Sequence, residues 1–378
     1  MIIPIFLLWI FDGKKKIREL AAEYRNYTLG VSLIILGLLL SVLINKDYYI
    51  GFGAVKGWFL FPIIFSIILN DYLGRDEKIL KKIFLSLFLS AVFISMAGIY
   101  YKIAGLLSYD GRLHLFYDSP NQLAMFLAPG LIIGALFFLE KKSKYSRTGF
   151  GIGLALVGLN IFFTYSFGAW IAIALAFTVF SGLKYIKFRQ GIIIFSIIAF
   201  LAVAGFLNQK EKFRSAFFPN ERSSLASRIM IWKSAGRMIE DNPLFGIGPG
   251  NFQEKYLEYQ KYFPPYLEWA VPQPHNLFFA FWLEAGLIGL VGFAALIYRF
   301  FRDNKKAISN NRLFGTMCFG IILYYLIHGF IDTTYWRNDM AFVFWTVVAI
   351  NIYLANPSRT RMTDAELKSG DKKQKPYL

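Results

Sequence analysis

Long apolar runs separated by short polar connections recur along the whole chain. A run of roughly 17 to 25 apolar residues is long enough to cross the hydrocarbon core of a bilayer as an α-helix. The pattern therefore predicts an all-α, polytopic integral membrane protein with about 11 transmembrane helices. A partial first helix is expected within residues 1–11, and full spans are expected at residues 28–44, 49–69, 84–100, 119–139, 149–165, 167–183, 191–207, 277–297, 314–331 and 340–355.

The composition supports a membrane protein and narrows the possible chemistry. Of the 378 residues, 56% are hydrophobic and 17% are charged, whereas a soluble domain carries about a quarter charged residues. This difference excludes an ordinary globular enzyme. The single cysteine, Cys318, excludes a disulfide framework and any metal site built from several cysteines. Because the chain has only three histidines, a metal site built from several histidines is not expected. We also expect no cofactor.

The basic residues indicate how the chain is oriented in the lipid bilayer. The net charge of +17 lies mainly in alternate connections between the predicted spans. Cytoplasmic connections of membrane proteins are enriched in lysine and arginine, so the C-terminus is expected in the cytoplasm and residues 208–276 on the outer side. The positive charge therefore requires no nucleic-acid partner. The basic clusters lie at residues 14–25, 75–82, 141–147, 184–189, 299–312 and 359–375.

This topology divides the chain into four predicted regions. Residues 1–207 are expected to form an N-terminal transmembrane bundle, and residues 208–276 an extracytoplasmic loop that carries part of the candidate site. Residues 277–355 are expected to form the C-terminal transmembrane helices. Residues 356–378 are polar, basic and poor in apolar side chains, which predicts a disordered cytoplasmic tail.

The outer loop contains two signals of ordered structure. Ser223 or Ser224 can cap a helix that continues to about Asp241, where an Asn-Pro pair and several glycines end it. Arg228 and Trp232, which are four residues apart, share one face of this helix. The glycine-rich run 246–252, which includes Gly248 and Asn251, follows. Its backbone N–H groups can approach an anion closely, or the run can be a turn between two helices.

Two further features of this region leave alternatives open. The aromatic and proline-rich residues 256–274 fit either a membrane interface or a surface that stacks on sugar rings. His275 lies where the loop re-enters the membrane, directly before Asn276, and can act as a neutral base near physiological pH. Alternatively, His275 caps the next helix or contacts lipid headgroups. A carboxylate within a bilayer is costly, so Glu284 in that helix is expected to face a polar cavity or an arginine.

Polar residues in two other outer connections share a membrane side with His275 and Arg228. Arg112 and Asn121 lie before and at the start of the span at 119–139, and Asp332 lies in the last outer connection. A functional site at this face would explain the grouping, and scattered headgroup contacts would give a similar set of residues.

The order of these motifs resembles that of the O-antigen ligase and Wzy polymerase superfamily of bacterial envelope enzymes. Residues 118–124 are similar to the Asn-Pro-Asn-x-x-Ala signature of that superfamily. Residues 228–252 combine Arg-x-x-x-Trp with Asn-Pro-Leu-Phe-Gly-Ile-Gly-Pro-Gly-Asn-Phe, and residues 275–289 begin with His-Asn and continue through Glu284 to two glycines. A looser likeness, His-Gly-x-x-Asp, ends at Asp332.

The resemblance implies a GT-C-like membrane enzyme that moves a glycan from a polyprenyl-diphosphate carrier to an acceptor hydroxyl at the outer face of the bacterial plasma membrane. The acceptor would be a glycolipid or a glycan, and transfer would need no metal and invert the anomeric centre. His275 would be the general base and Arg228 would bind the diphosphate. The expected substrate-binding residues are Arg112, Asn121, Trp232, Gly248, Asn251, Asn276, Glu284 and Asp332.

The chain departs from the superfamily pattern at Phe167, at Asp118-Ser119, which replace a Gly-Asn pair, and in having about eleven predicted spans where about twelve are usual. Two other functions stay open. Phe167 stands where the superfamily often has an arginine, so an anion-binding role there would pass to Arg112, Lys102 or Arg222. The first alternative function is a polymerase, which uses the same chemistry on a different acceptor. The second is a non-enzymatic transporter of lipid-linked glycans, which would distribute polar residues through the spans.

Overall fold

The computed structural model describes Trp9 and residues 17–140, 143–182, 224–264 and 270–356. Within these ranges the regular structure is helical and contains no strand. A π-helical stretch, Val55–Leu60, lies within the helix Tyr48–Arg75. The helices are α1 (Ile17–Asn45), α2 (Tyr48–Arg75), α3 (Lys78–Ile103), α4 (Pro120–Glu140), α5 (Lys144–Phe163), α6 (Phe167–Gly182), α7 (Ser224–Asp241), α8 (Phe252–Tyr259), α9 (Leu277–Asn310), α10 (Arg312–His328) and α11 (Asn338–Ala355).

Seven of the described helices are long and apolar enough to cross a membrane: α1, α2, α3, α4, α5, α9 and α11. The apolar helices α6 and α10 are shorter. The predicted helical membrane architecture is confirmed in this form, while the total of eleven spans stays a prediction. The predicted span 191–207, most of residues 1–11 and the tail beyond residue 356 lie outside the described residues.

Helices α1 and α9 pack with their backbones in close contact because glycines face each other. A methyl group at Gly37 would collide with the carbonyl oxygen of Ala285 and the backbone of Gly289. A methyl group at Gly292 would lie 2.7 Å from the backbone nitrogen of Ile34 and 2.8 Å from the carbonyl oxygen of Gly30. Small residues allow this approach between membrane helices, where packing and interhelical hydrogen bonds drive association.

The predicted span 277–297 is helical, but it differs from the prediction in having a break. Gly286 adopts φ 68° and ψ −179°, and the helix continues beyond it to Asn310. In a continuous helix the Leu287 N–H would donate to the Leu283 carbonyl. Instead Leu287 donates to the Leu244 carbonyl (3.1 Å), and the Leu283 carbonyl accepts from Ile247 N–H (2.6 Å). The N–H of Leu287 and the carbonyl of Leu283 would bond to each other in a continuous helix. Here each of them bonds to the segment before α8 instead.

A small apolar core fixes α7 and α8 onto the first turns of α9. The predicted helix to about Asp241 is confirmed as α7. After it the chain forms a turn and then enters α8. The described part of residues 208–276 is therefore an ordered unit on the bundle. The core comprises Met230, Ile231, Ala235, Met238, Ile239, Ile247, Phe252, Tyr256, Val271 and Leu283.

The connections between the helices form two groups, one at each end of the bundle. We call residues 104–119, 164–166, 270–276 and 329–337 the site end, because hydrogen bonds join these segments to one another or to α4 and α7. The opposite end contains the reversals between α2 and α3, between α4 and α5 and between α9 and α10.

Candidate active site

The carboxylate of Asp332 is the centre of the site end. Its side chain is 5% exposed, so its oxygens need partners within the protein. Oδ1 lies 3.0 Å from Nδ1 of His275 and accepts the backbone N–H of Thr333 at 2.9 Å. Oδ2 accepts the side-chain amide of Asn121 at 3.1 Å and lies 3.8 Å from Nη2 of Arg228. One buried carboxylate thus contacts residues from three other parts of the chain.

His275 is held in a defined orientation beside this carboxylate. An ionised carboxylate can only accept hydrogen bonds, so the Nδ1 of His275 carries the proton that Asp332 accepts. The Nε2 atom of the neutral ring is then a free base. The ring remains 32% exposed. The backbone of His275 has φ 47°, a left-handed conformation that is strained for a residue with a side chain.

The charge state of Asp332 fits this arrangement. Burial by itself raises the pKa of the Asp332 carboxyl. The hydrogen bond of His275 and its positive charge when the ring is protonated, together with the charge of Arg228, outweigh burial and hold the pKa of Asp332 below its ordinary value. Asp332 therefore stays an anion that can accept the Nδ1 proton and stabilise a positive charge on the imidazole.

Arg228 and Trp232 bring helix α7 to the same place. Nε of Arg228 donates to the Ile331 carbonyl at 3.0 Å, and Nε1 of Trp232 donates to the His275 carbonyl at 3.2 Å. Their predicted common helix face thus contacts the two segments that carry Asp332 and His275. The Arg228 side chain is 21% exposed, so a planar, permanently charged fork lies beside the candidate base.

Arg112 and Asn121 form the other wall of the cluster. Nε of Arg112 donates to the Thr164 carbonyl at 2.6 Å, and Nη2 donates to Oδ1 of Asn121 at 2.7 Å. Lys102 approaches the same turn, with Nζ 5.1 Å from the ring centre of Phe163. Two of the three cations considered for the role of an arginine at Phe167 therefore border this turn. The third, Arg222, lies outside the described residues.

Three predicted substrate-binding residues lie instead at the junction between α9 and the turn before α8. Glu284 is 2% exposed, and its Oε2 accepts the Gly250 N–H at 3.3 Å. Gly248 has φ 93°, and Asn251 donates through Nδ2 to the Ile247 carbonyl at 3.0 Å. The glycine run is thus a turn that leads into α8. His275 is bonded to Asp332, whereas Glu284 is bonded to this turn.

Asn276 has a capping role at the start of α9. Its Oδ1 accepts the N–H groups of Phe278 at 2.9 Å and Phe279 at 3.0 Å, which are among the unpaired donors at a helix start. Its Nδ2 donates to the Phe330 carbonyl at 3.0 Å. Asn276 thereby joins the residue after His275 to the segment that carries Asp332.

The histidine inventory leaves His275 as the candidate base. His328 is 1% exposed and its Nδ1 is 2.7 Å from the Tyr324 hydroxyl, so it is enclosed at the end of α10. His114 pairs with the carbonyl of Tyr117 at 2.9 Å within its own loop. Within the described ranges, no three or more His, Cys, Asp or Glu side chains group so as to hold a metal ion.

The role of Asp332 as the partner of His275 was missed at the sequence level, where it was predicted only to bind substrate. The two residues are 57 positions apart, and Asn121 and Asp332 are 211 apart. Spacing along the chain carries no signal for contacts of this length. The loose His-Gly-x-x-Asp likeness was the sequence feature that marked Asp332.

This helical bundle, with a polar cluster at one end, defines a membrane protein of the multi-helix class. Residues 152–294 match the model of the family described as O-Antigen ligase. The resemblance predicted from the motifs is therefore confirmed. The matched region contains Arg228, His275 and Glu284, whereas Asn121 and Asp332 lie outside it. The contacts of Asp332 with His275 and Arg228 of the matched region, and the hydrogen bond of Asn121 to Asp332, are seen only in the structure.

Three relatives extend this comparison. A Rickettsia conorii protein provisionally named a polysaccharide ligase is 28% identical over 218 residues, which are 55% of this chain and 46% of that protein. A Rickettsia typhi protein with the same provisional name is 33% identical over 124 residues, which are 31% of this chain and 29% of that protein. An uncharacterised Haemophilus influenzae protein is 22% identical over 313 residues, which are 78% of this chain and 75% of that protein. The matches span less than half the length of each Rickettsia protein.

Proposed function

We propose that this protein transfers a glycan from a polyprenyl-diphosphate carrier to a hydroxyl group of a glycolipid or glycan acceptor, in the manner of an O-antigen ligase. The observation that carries the proposal is the Asp332–His275 pair beside the guanidinium of Arg228 at one end of a membrane bundle. The match to the O-Antigen ligase family and the names of the Rickettsia relatives support glycan transfer as the reaction.

The proposed reaction is a single displacement at the anomeric carbon of the carrier-linked sugar. The acceptor oxygen forms a bond to that carbon while the bond from the carbon to the diphosphate oxygen breaks. The acceptor proton passes to Nε2 of His275, and Asp332 stabilises the imidazolium that results. The carrier leaves as a diphosphate anion. A direct displacement of this kind inverts the anomeric centre.

Arg228 supplies the electrostatic part of the proposal. Negative charge grows on the diphosphate as the bond to the sugar breaks, and charge-assisted hydrogen bonds from a guanidinium stabilise it. The diphosphate linkage is already activated, so the reaction needs no nucleotide. Positioned donors and a base can provide the barrier reduction without a metal.

The same proposal places the site end at the outer face of the plasma membrane and the C-terminus in the cytoplasm. Arg75, Lys78, Lys144 and Arg312 lie at helix ends at the opposite end of the bundle. Basic residues are enriched on the cytoplasmic side of membrane proteins, which supports this orientation. Carriers loaded with finished glycan would then meet the acceptor outside the cell.

The experiment is transfer by the purified full-length protein in lipid nanodiscs, supplied with polyprenyl-diphosphate glycan and a lipid-core acceptor. Wild type is compared with His275→Ala and Arg228→Ala, and products are separated on a gel. Glycosylated acceptor from wild type alone supports the ligase proposal. Longer chains that stay on the carrier would instead indicate a polymerase. Full activity in His275→Ala contradicts the proposed base, and no product with any acceptor contradicts the proposed reaction.

A further inference from the structure

The amide of Asn121 is held in one orientation by its two neighbours. Its Oδ1 accepts from Nη2 of Arg112 at 2.7 Å, and its Nδ2 donates to Oδ2 of Asp332 at 3.1 Å. A guanidinium can only donate hydrogen bonds and an ionised carboxylate can only accept them. If the amide were reversed, its NH₂ group would face the donor of Arg112 and its oxygen would face the carboxylate oxygen of Asp332. Arg112 therefore dictates that Asn121 presents an N–H group to Asp332.

Arg112 is itself fixed on its other side. Its Nε donates to the Thr164 carbonyl at 2.6 Å, its Nη1 lies 3.8 Å from the carboxylate of Asp110, and its side chain is 14% exposed. The charged group is thus engaged with the protein on several sides. A continuous series of side-chain contacts leads from the Thr164 turn through Arg112, Asn121 and Asp332 to the ring of His275.

We propose that Asn121 and Arg112 are positioning residues that hold Asp332, and through it His275, and that they do not bind the substrate directly. This inference rests on the proposed function, in which His275 is the base. Asn121 is the donor that the described residues place within hydrogen-bond distance of Oδ2. Without it, the carboxylate can turn toward Arg228 at 3.8 Å and lose its alignment with His275.

The test compares two amide-to-acid changes on neighbouring residues of α4. Asn121→Asp keeps the shape of the side chain but replaces the donor that faces Asp332 with an acceptor. Gln122→Glu makes the same change of charge at the next residue, which has no described contact with Asp332. We expect kcat to fall by about ten- to a hundredfold in Asn121→Asp, as for an unpaired buried group, with KM for the donor unchanged. Gln122→Glu should retain wild-type kcat and KM.

A double-mutant cycle identifies the route of the effect. Asp332→Asn removes the carboxylate on which Asn121 is proposed to act, so Asn121→Ala should cause no further loss of kcat in that background. Arg112→Lys, which can still only donate, should retain more activity than Arg112→Met. Size-exclusion profiles and thermal midpoints of all variants report whether each one is folded, and the Arg112 pair tests the inference if Asn121→Asp does not fold.

The outcomes separate this inference from the proposed function. A raised KM with unchanged kcat in Asn121→Asp would mean direct substrate binding and would overturn the inference. Additive losses in the cycle would overturn it as well, because independent action adds. Both results leave the proposed function intact, provided that His275→Ala is inactive. Undiminished transfer by His275→Ala would instead remove the proposed function on which the inference rests.

Discussion

Both ends of the bundle contain an asparagine bonded to a second polar side chain, but the two networks differ in what they leave open. At the opposite end, Asn304 donates to Oδ1 of Asn351 at 2.8 Å, and Asn351 donates to the Phe300 carbonyl at 3.1 Å. Both amides are at most 1% exposed. At the site end, Asn121 bonds a carboxylate whose next partner, His275, is 32% exposed.

A buried polar network can stabilise the packing of helices, or it can hold a partly exposed side chain in a defined orientation. The Asn304–Asn351 pair is enclosed and joins α9 to α11, so its hydrogen bonds contribute to stability and specify the packing. The site-end network joins charged groups and ends at a ring nitrogen that solvent can reach. It also includes a non-glycine residue with φ 47°. Strain of this kind persists where the surrounding contacts over-determine it, and it is common at functional sites.

The largest effect should come from removing the base. We expect His275→Ala to lower the rate of glycan transfer by about 10²- to 10⁴-fold, the range found for general base catalysis. The thermal midpoint should fall as well, because the buried carboxylate of Asp332 loses a partner, so rates are compared per folded protein. His114→Ala is the matched control, since among the described residues the hydrogen bond of that ring lies within its own loop. Equal losses in both variants would show that the site-end network has no special catalytic position.

The second prediction concerns the junction between the bundle and the helices α7 and α8. A methyl group at Gly286 would collide with the Leu244 carbonyl, and φ 68° is itself unfavourable for alanine. We expect Gly286→Ala to cost about 1–3 kcal/mol and to increase hydrogen exchange in α7 and α8. Gly158→Ala, which has open space around it, is the control and should be neutral or stabilising. Unchanged exchange in α7 and α8 would contradict the role of the junction.

The third prediction concerns the enclosed network. Asn351→Ala should lower the free energy of unfolding by about 1–3 kcal/mol, because buried polar partners are left unsatisfied. The kcat of the folded fraction should equal that of wild type. Gln253→Ala, at an exposed position of α8, should change neither quantity. A selective loss of kcat in Asn351→Ala would mean that the two ends are coupled and that their division into structural and chemical networks is wrong.

The sequence predicted the helices because the physical requirement is local. A spanning helix needs a long apolar run, and every predicted full span except 191–207 overlaps a described helix, although α6 and α10 are shorter than the seven candidate spans. The break at Gly286 could not be predicted in this way. It depends on a hydrogen bond that the Leu244 carbonyl accepts and one that the Ile247 N–H donates. These residues lie about forty positions earlier in the chain and carry no periodic signal.

In the candidate site, individual residues could be predicted from the sequence, but their contacts could not. Arg228 and His275 could be chosen from the order of the motifs, since each lies in a stretch with a recognisable pattern. The contact between Asn121 and Asp332 joins residues 211 positions apart. It arises only when the helices pack, so the sequence could predict both as site residues but could not show that they bond to each other.

The smallest predicted effect is a difference in pH dependence between the two networks. The pKa of Asp332 is held below its ordinary value in the folded protein, so the carboxylate stabilises the fold above the unfolded pKa of about 4. This contribution is lost as the pH falls below that value toward the folded pKa. The difference in thermal midpoint between wild type and Asp332→Asn should therefore narrow between about pH 5 and about pH 3, a window below the ordinary titration of histidine.

The amides Asn304 and Asn351 do not titrate, so the difference in thermal midpoint between wild type and Asn351→Ala should stay constant over the same range. Differential scanning fluorimetry in detergent measures both, and parallel curves for the two variants would contradict an ionised, partnered Asp332.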